Sequence, residues 1–113
     1  MTQQQTLITR LRDALPVRPS RREVAMFGGR SFMINNKSVV CAQKNGDLLV
    51  RVDARDHQEL LARPGARQAE MGAGRTMGAG WISVESASIT ADADLDFWLA
   101  TALEHNRTLI SRA

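Results

Sequence analysis

The chain is poor in several residue types, and each shortage excludes something. It has one cysteine, three prolines, no tyrosine and only 4% aromatic residues. A single cysteine cannot pair within the chain, which excludes a disulfide framework. One cysteine and two histidines supply no zinc set, so no metal or other cofactor is expected. The apolar runs are a few residues long, far short of the roughly 20 needed to cross a bilayer. The opening Met1-Thr2-Gln3-Gln4-Gln5 has neither a basic nor an apolar leader region. The expected compartment is therefore the cytoplasm.

Catalytic signatures are also missing. No Gly-x-Ser-x-Gly elbow occurs. No glycine-rich run ends in Gly-Lys-Ser/Thr, and a dinucleotide fingerprint starting at Gly72 and Gly74 meets Met77 where glycine is required. A non-catalytic protein is expected.

What is present suits one soluble globular domain. The 113 residues are 43% hydrophobic and 24% charged, a usual balance for a domain of this size. The whole chain, 1–113, reads as one unit, with a basic segment 1–22 and a core 23–110. The net charge of +3 is unevenly spread: residues 1–22 carry +4 and residues 85–113 carry −3. Thirteen of the 15 basic residues are arginine.

Periodicity assigns the elements. Leu7, Ile8, Leu11, Ala14 and Leu15 form one stripe of a helix over residues 3–15, stopped by Pro16 and Pro19. Four short strands follow, over 23–27, 30–35, 38–44 and 47–53. Gly28-Gly29, Asn35-Asn36 and Asn45-Gly46 separate them, and Asn-Gly is the strongest hairpin signal. A short helix over 54–62 ends at Pro64-Gly65. Strands over 66–71 and 81–85 bracket the repeat Met71-Gly72-Ala73-Gly74-Arg75-Thr76 and Met77-Gly78-Ala79-Gly80-Trp81-Ile82. Asp92 is expected to cap a last helix with stripe Leu95, Trp98, Leu99, Ala102 and Leu103, fraying from Asn106 onward. The order is α-β-β-β-β-α-β-β-α. Short turns require antiparallel pairing. The expected fold is α+β, a two-layer arrangement with a mostly antiparallel sheet and helices on one face. The other face, bearing Arg51, Asp53, Ser83 and Glu85, is expected to be wet enough for solvent or for a partner subunit.

Candidate functional residues fall into three groups. Met26-Phe27-Gly28-Gly29, with Arg30, reads first as a tight turn and second as a ligand cradle. Met26, Phe27, Gly28, Gly29 and Arg30, with Arg51, Gly74 and Arg75, are the expected protein-interaction surface; alternatively, Arg30, Arg51 and Arg75 offer guanidiniums for a small anion if they converge. Arg10, Arg12, Arg18, Arg21 and Arg22 offer a phosphate-binding arm, although no helix-turn-helix, zinc-finger or RNP-like pattern accompanies them. Cys41 is expected to be a buried inert thiol. His57 is expected to pack rather than catalyse.

The blocks Met26-Phe27-Gly28-Gly29-Arg30-Ser31-Phe32-Met33, Asp47-Leu48-Leu49-Val50-Arg51-Val52, Gly74-Arg75-Thr76-Met77-Gly78 and Leu95-Asp96-Phe97-Trp98-Leu99 carry a resemblance. Together they resemble the N-terminal domain family of the bacterial competence regulator TfoX/Sxy. The resemblance implies a small α/β domain with an antiparallel sheet, akin to folds that often dimerise. It implies a regulatory role linked to transcription, no catalytic residues, and a protein partner or self-association in preference to nucleic acid. Regulators of that type carry a second, C-terminal domain, so a stand-alone first domain is expected here.

Overall fold

A computed structural model describes residues 2–17, 20–26, 28–72 and 74–111, with side chains through residue 109. Helix α1 spans Gln3–Ala14. Four strands follow: β1 (Arg21–Met26), β2 (Gly29–Ile34), β3 (Lys37–Ala42) and β4 (Leu48–Arg51). A 3-10 turn over Ala54–Asp56 leads into the short helix α2 (His57–Leu61). Then come β5 (Ala66–Gln68), β6 (Glu70–Gly72), β7 (Arg75–Thr76) and β8 (Trp81–Val84), and finally α3 (Asp92–Ser111). The main sheet runs β1-β2-β3-β4-β8-β5, with every neighbour antiparallel. Strands β6 and β7 form a separate two-stranded ribbon. The expected α+β class and antiparallel sheet are as read from the sequence.

The core lies on one face. Phe32, Ile34, Val40, Ala42, Leu48, Val50, Ile82 and Val84 point from the sheet into a single buried cluster. Leu7, Leu11 and Leu15 reach it from α1, Leu60 from α2, and Leu95, Trp98, Leu99 and Ala102 from α3. These are the stripes that a 3.6-residue period places on one side of each helix. Ala14 is the exception, being exposed. Thr2 and Gln5 close a reciprocal capping box at the start of α1, satisfying amides that the helix cannot.

Several expectations need correcting. The opposite sheet face is not wet along its middle. Cys41, Leu49 and Ala69 are buried there against Met77 and Trp81, and Ser83 is buried too. Ala69 and Met77 fold back over Cys41 of β3 and Leu49 of β4 and bury them. Asp53 leaves the sheet and caps the following turn, accepting from the Arg55 amide at 2.9 Å. The expected strand 66–71 is two strands, β5 in the main sheet and β6 in the ribbon. The expected helix 54–62 is a 3-10 turn and a five-residue helix. Asp92 is the first helical residue of α3, not the one before it. Asn106 does not begin a fraying end: it is buried, and its amide donates to the Ile34 carbonyl at 3.4 Å.

The turns also divide differently. Asn35 and Asn36 both take left-handed backbone, with φ of 53° and 64°, the conformation of a two-residue primed hairpin turn. At Asn45-Gly46 only Gly46 does so, with φ of 92°. The Gln43 amide donates to the Asp47 carbonyl across a three-residue loop, the longer hairpin connection that ends on a left-handed glycine.

Candidate functional site

The Met-Phe-Gly-Gly block is built for close approach. Gly28 holds φ of 77°, a region that side chains disfavour. Gly29 has ordinary φ but no room: a Cβ there would stand 2.5 Å from the Ala42 carbonyl oxygen and 3.1 Å from Cys41 Sγ. Two glycines therefore let the β1–β2 turn close directly against β3. The Gln4 side-chain amide of α1 donates to the carbonyls of Gly28 (3.1 Å) and Ala42 (3.4 Å), pinning the turn to the helix. Phe27 lies outside the described residues.

The three arginines of the anion reading are dispersed. Arg30 sits opposite Ala42 on the helix-bearing face, its guanidinium 3.8 Å from Glu23. Arg51 lies on the other face, stacked over the Trp81 ring at 5.3 Å. Arg75 is exposed in β7, beside Gly74, whose φ is 76°. Arg30 and Arg51, on opposite faces of the sheet, share no ligand position.

The basic arm is largely engaged within the fold. Arg12 makes a two-pronged contact with Glu23, both bonds at 2.8 Å. That pairing holds the Glu23 carboxyl below its usual range and raises Arg12. Arg10 reaches Asp92 at 3.3 Å. Arg21 donates to the carbonyls of Arg12 and Leu15 at 3.2 and 3.0 Å, covering the open end of α1. Arg22 is exposed, and Arg18 lies outside the described residues.

What the fold does assemble is a cleft of about 530 Å3 on the second sheet face, between the β3–β4 hairpin and the β6–β7 ribbon. Its apolar lining comes from Met26, Cys41, Leu49, Met71 and Met77. The two methionines that open the sequence repeat thus line the same cleft. Lys44 stands on the hairpin side and Glu70 on the ribbon side. Burial pushes the Cys41 thiol up to about 11, outweighing the Arg30 backbone hydrogen bond that favours thiolate. The cysteine is a buried wall of the cleft, and a thiol kept protonated is a weak nucleophile.

His57 secures the ribbon behind this cleft. It is buried, its Nδ1 accepting the Gly80 amide at 2.8 Å. Nδ1 must then be bare, so Nε2 carries the proton and donates to Gln68 Oε1 at 2.8 Å. Gln68 Nε2 in turn donates to the Gly78 carbonyl at 2.9 Å. The histidine packs, as the sequence suggests, but it also fixes the glycine-rich return to β8.

Sequence reasoning missed Leu49, Lys44 and the paired methionines as one site. The signal was partly there: strict alternation along β4 sends Leu49 away from Leu48 and Val50, and an apolar residue so placed needs cover. What supplies the cover is a contact across more than twenty residues. Among the described residues, no three His, Cys, Asp or Glu side chains gather as metal ligands, and no helix is long and apolar enough to cross a membrane.

Neither the comparison with curated proteins nor that with solved structures finds a match. The family model described as the TfoX N-terminal domain matches residues 18–106, most of the chain. That span holds the whole sheet and both glycine blocks, and by it the chain belongs to the TfoX N-terminal domain family.

Proposed function

We propose that the protein is a non-catalytic regulatory module, linked to transcription, that works by protein contact, and that its first partner is a second copy of itself. The observation that carries this reading is the free edge of the sheet. Strand β1 is six residues long and terminates the sheet order. The Asn35 amide donates to the Ser20 carbonyl, which sets the phase of the ladder. Arg22, Val24 and Met26 then bond inward to β2, while the backbone groups of Arg21, Glu23 and Ala25 face outward. An exposed row of this kind accepts another strand.

Two copies can meet along it about a two-fold axis. Centring the axis on Val24 sets Val24 against Val24, Glu23 against Ala25 and Arg22 against Met26 of the second copy. No like charges oppose, and the outward backbone groups pair. Centring on Glu23 would oppose two carboxylates, which disfavours it. Family membership supports the regulatory part of the reading. The nucleic-acid reading draws less support, because Arg10, Arg12 and Arg21 spend their donors inside the fold.

Ala25→Pro removes one outward amide while leaving the bonds to β2. Sedimentation equilibrium should show a concentration-dependent dimer for the native chain and a monomer for this variant, with melting temperatures close together. A native chain that stays monomeric at high protein concentration would remove the self-pairing reading.

A further inference from the structure

We infer that the methionine-lined cleft is a binding site for a small aromatic carboxylate, independent of any pairing through β1. Three observations converge on it. The cleft, at about 530 Å3, is of the size that holds small organic ligands. Its walls are thioethers and a leucine: Met26, Met71 and Met77 with Leu49. Unbranched, polarizable methionine side chains adapt to flat apolar ligands and make favourable sulfur–ring contacts. The site therefore favours an aromatic body over a rigid branched one.

The polar groups decide the head. On the hairpin side, the Gln43 amide is already given to Ser83 Oγ at 2.9 Å and the Asn45 amide to Asp47 at 3.1 Å. Lys44 makes no ion pair or hydrogen bond among the described residues. Its stem runs across Gly28, with Cδ 3.4 Å from where a Cβ there would stand. This lays the ammonium at the rim of an apolar wall. An anionic head would find a partner there for a charge-assisted hydrogen bond, which is shorter and stronger than a neutral one. Glu70 on the ribbon side repels the same head and so orients the ligand, ring between the methionines and carboxylate toward Lys44.

The probe is naphthalene-2-carboxylate, with the corresponding naphthylmethylamine as its charge-reversed control. Methyl NMR of the five methionines reports the place of binding, and titration reports the affinity. Saturable shifts should appear at Met26, Met71 and Met77, with the carboxylate bound more tightly than the amine. Lys44→Ala should weaken the carboxylate roughly fivefold and the amine not at all. Met71→Glu, at an exposed position and so harmless to the core, removes one thioether wall and adds a like charge for the carboxylate, so it should weaken both probes and the carboxylate more. Shifts confined to other methionines, equal affinity for the two probes, an unchanged Lys44→Ala, or no shift at millimolar probe would each overturn the assignment.

Discussion

Gly29 and Gly28 look alike in the sequence and are needed for different reasons. Gly28 requires glycine for its left-handed backbone, Gly29 for space. Gly29→Ala should cost about 1–3 kcal/mol, because the new methyl meets the β3 backbone, which cannot rotate aside. Gly74→Ala pays only for left-handed φ in open space, about 1 kcal/mol. Urea unfolding of both variants compares the two costs, and an equal loss would show that the 2.5 Å approach is relieved by backbone movement. Cys41 is testable at the same scale. Its raised value keeps the thiol neutral at ordinary pH, so iodoacetamide should modify the folded protein far more slowly than the urea-unfolded one at pH 8. Equal rates would mean the thiol is open to solvent. The raised value also means that burial of the thiol favours folding fully below about 8.5, an advantage lost as pH rises toward 11.

Asp53 carries a further prediction. Chiefly the Arg55 side chain, then the Arg55 amide, hold its carboxyl at about 2. Its folded value is depressed, so its contribution to stability is present above about 4, the unfolded value, and is lost as pH falls toward 2. The stability gap between native chain and Asp53→Asn should be open at pH 6 and shrink toward pH 2. A gap that is constant across that range would mean the carboxylate's charge has no part in it.

At the scale of elements, helix α1 is the informative case. It lies before the span that matches the family model, yet its Leu7, Leu11 and Leu15 fill the main core. Leu11→Ala should therefore cost about 2–5 kcal/mol in denaturant unfolding, as for any fully buried leucine. A loss below 1 kcal/mol would mean that the core closes without this helix. The stripe that buries α1 was legible in the sequence because a helix face is local, repeating every three to four residues. The same holds for Leu95, Trp98, Leu99 and Ala102 of α3. The strands of the main sheet were legible too, from turn residues and alternation, whereas the ribbon strand β7 was not. What the strands paired with was less so. β8 sits between β4 and β5 because its apolar face completes the core, a contact over some thirty residues that no local pattern records. The division of 66–71 into β5 and β6 is of the same kind. Gln68 is drawn into the main sheet by β8, and the chain then leaves it to cover Leu49 and Cys41.

For the whole molecule, the sheet divides two environments. One face carries three helices over a continuous core. The other carries a thin cover over a small apolar cluster with a cleft beside it, and β1 ends the sheet order between the two faces. The charges follow the same division. Within the basic segment, Arg10 and Arg12 pair with Asp92 and Glu23, and Arg21 bonds the carbonyls at the end of α1. Arg12→Ala should raise the apparent pKa of Glu23 in a carboxylate NMR titration, since Arg12 is the main cause of its depression. An unmoved value would place that cause elsewhere, in Arg30 or Arg21.

The sequence by itself determined the long helices with their core-facing stripes, the strands of the main sheet, the antiparallel class and the family. All of these rest on spacing within one segment, on turn chemistry that allows few backbones, or on short motifs. Only the tertiary structure decided which glycine lacks room, which arginines are already occupied, and that two methionines six residues apart share one cleft with Met26 and Leu49. Those outcomes depend on distances between segments far apart in the chain, which are set by how the sheet and helices close on one another and not by any local preference.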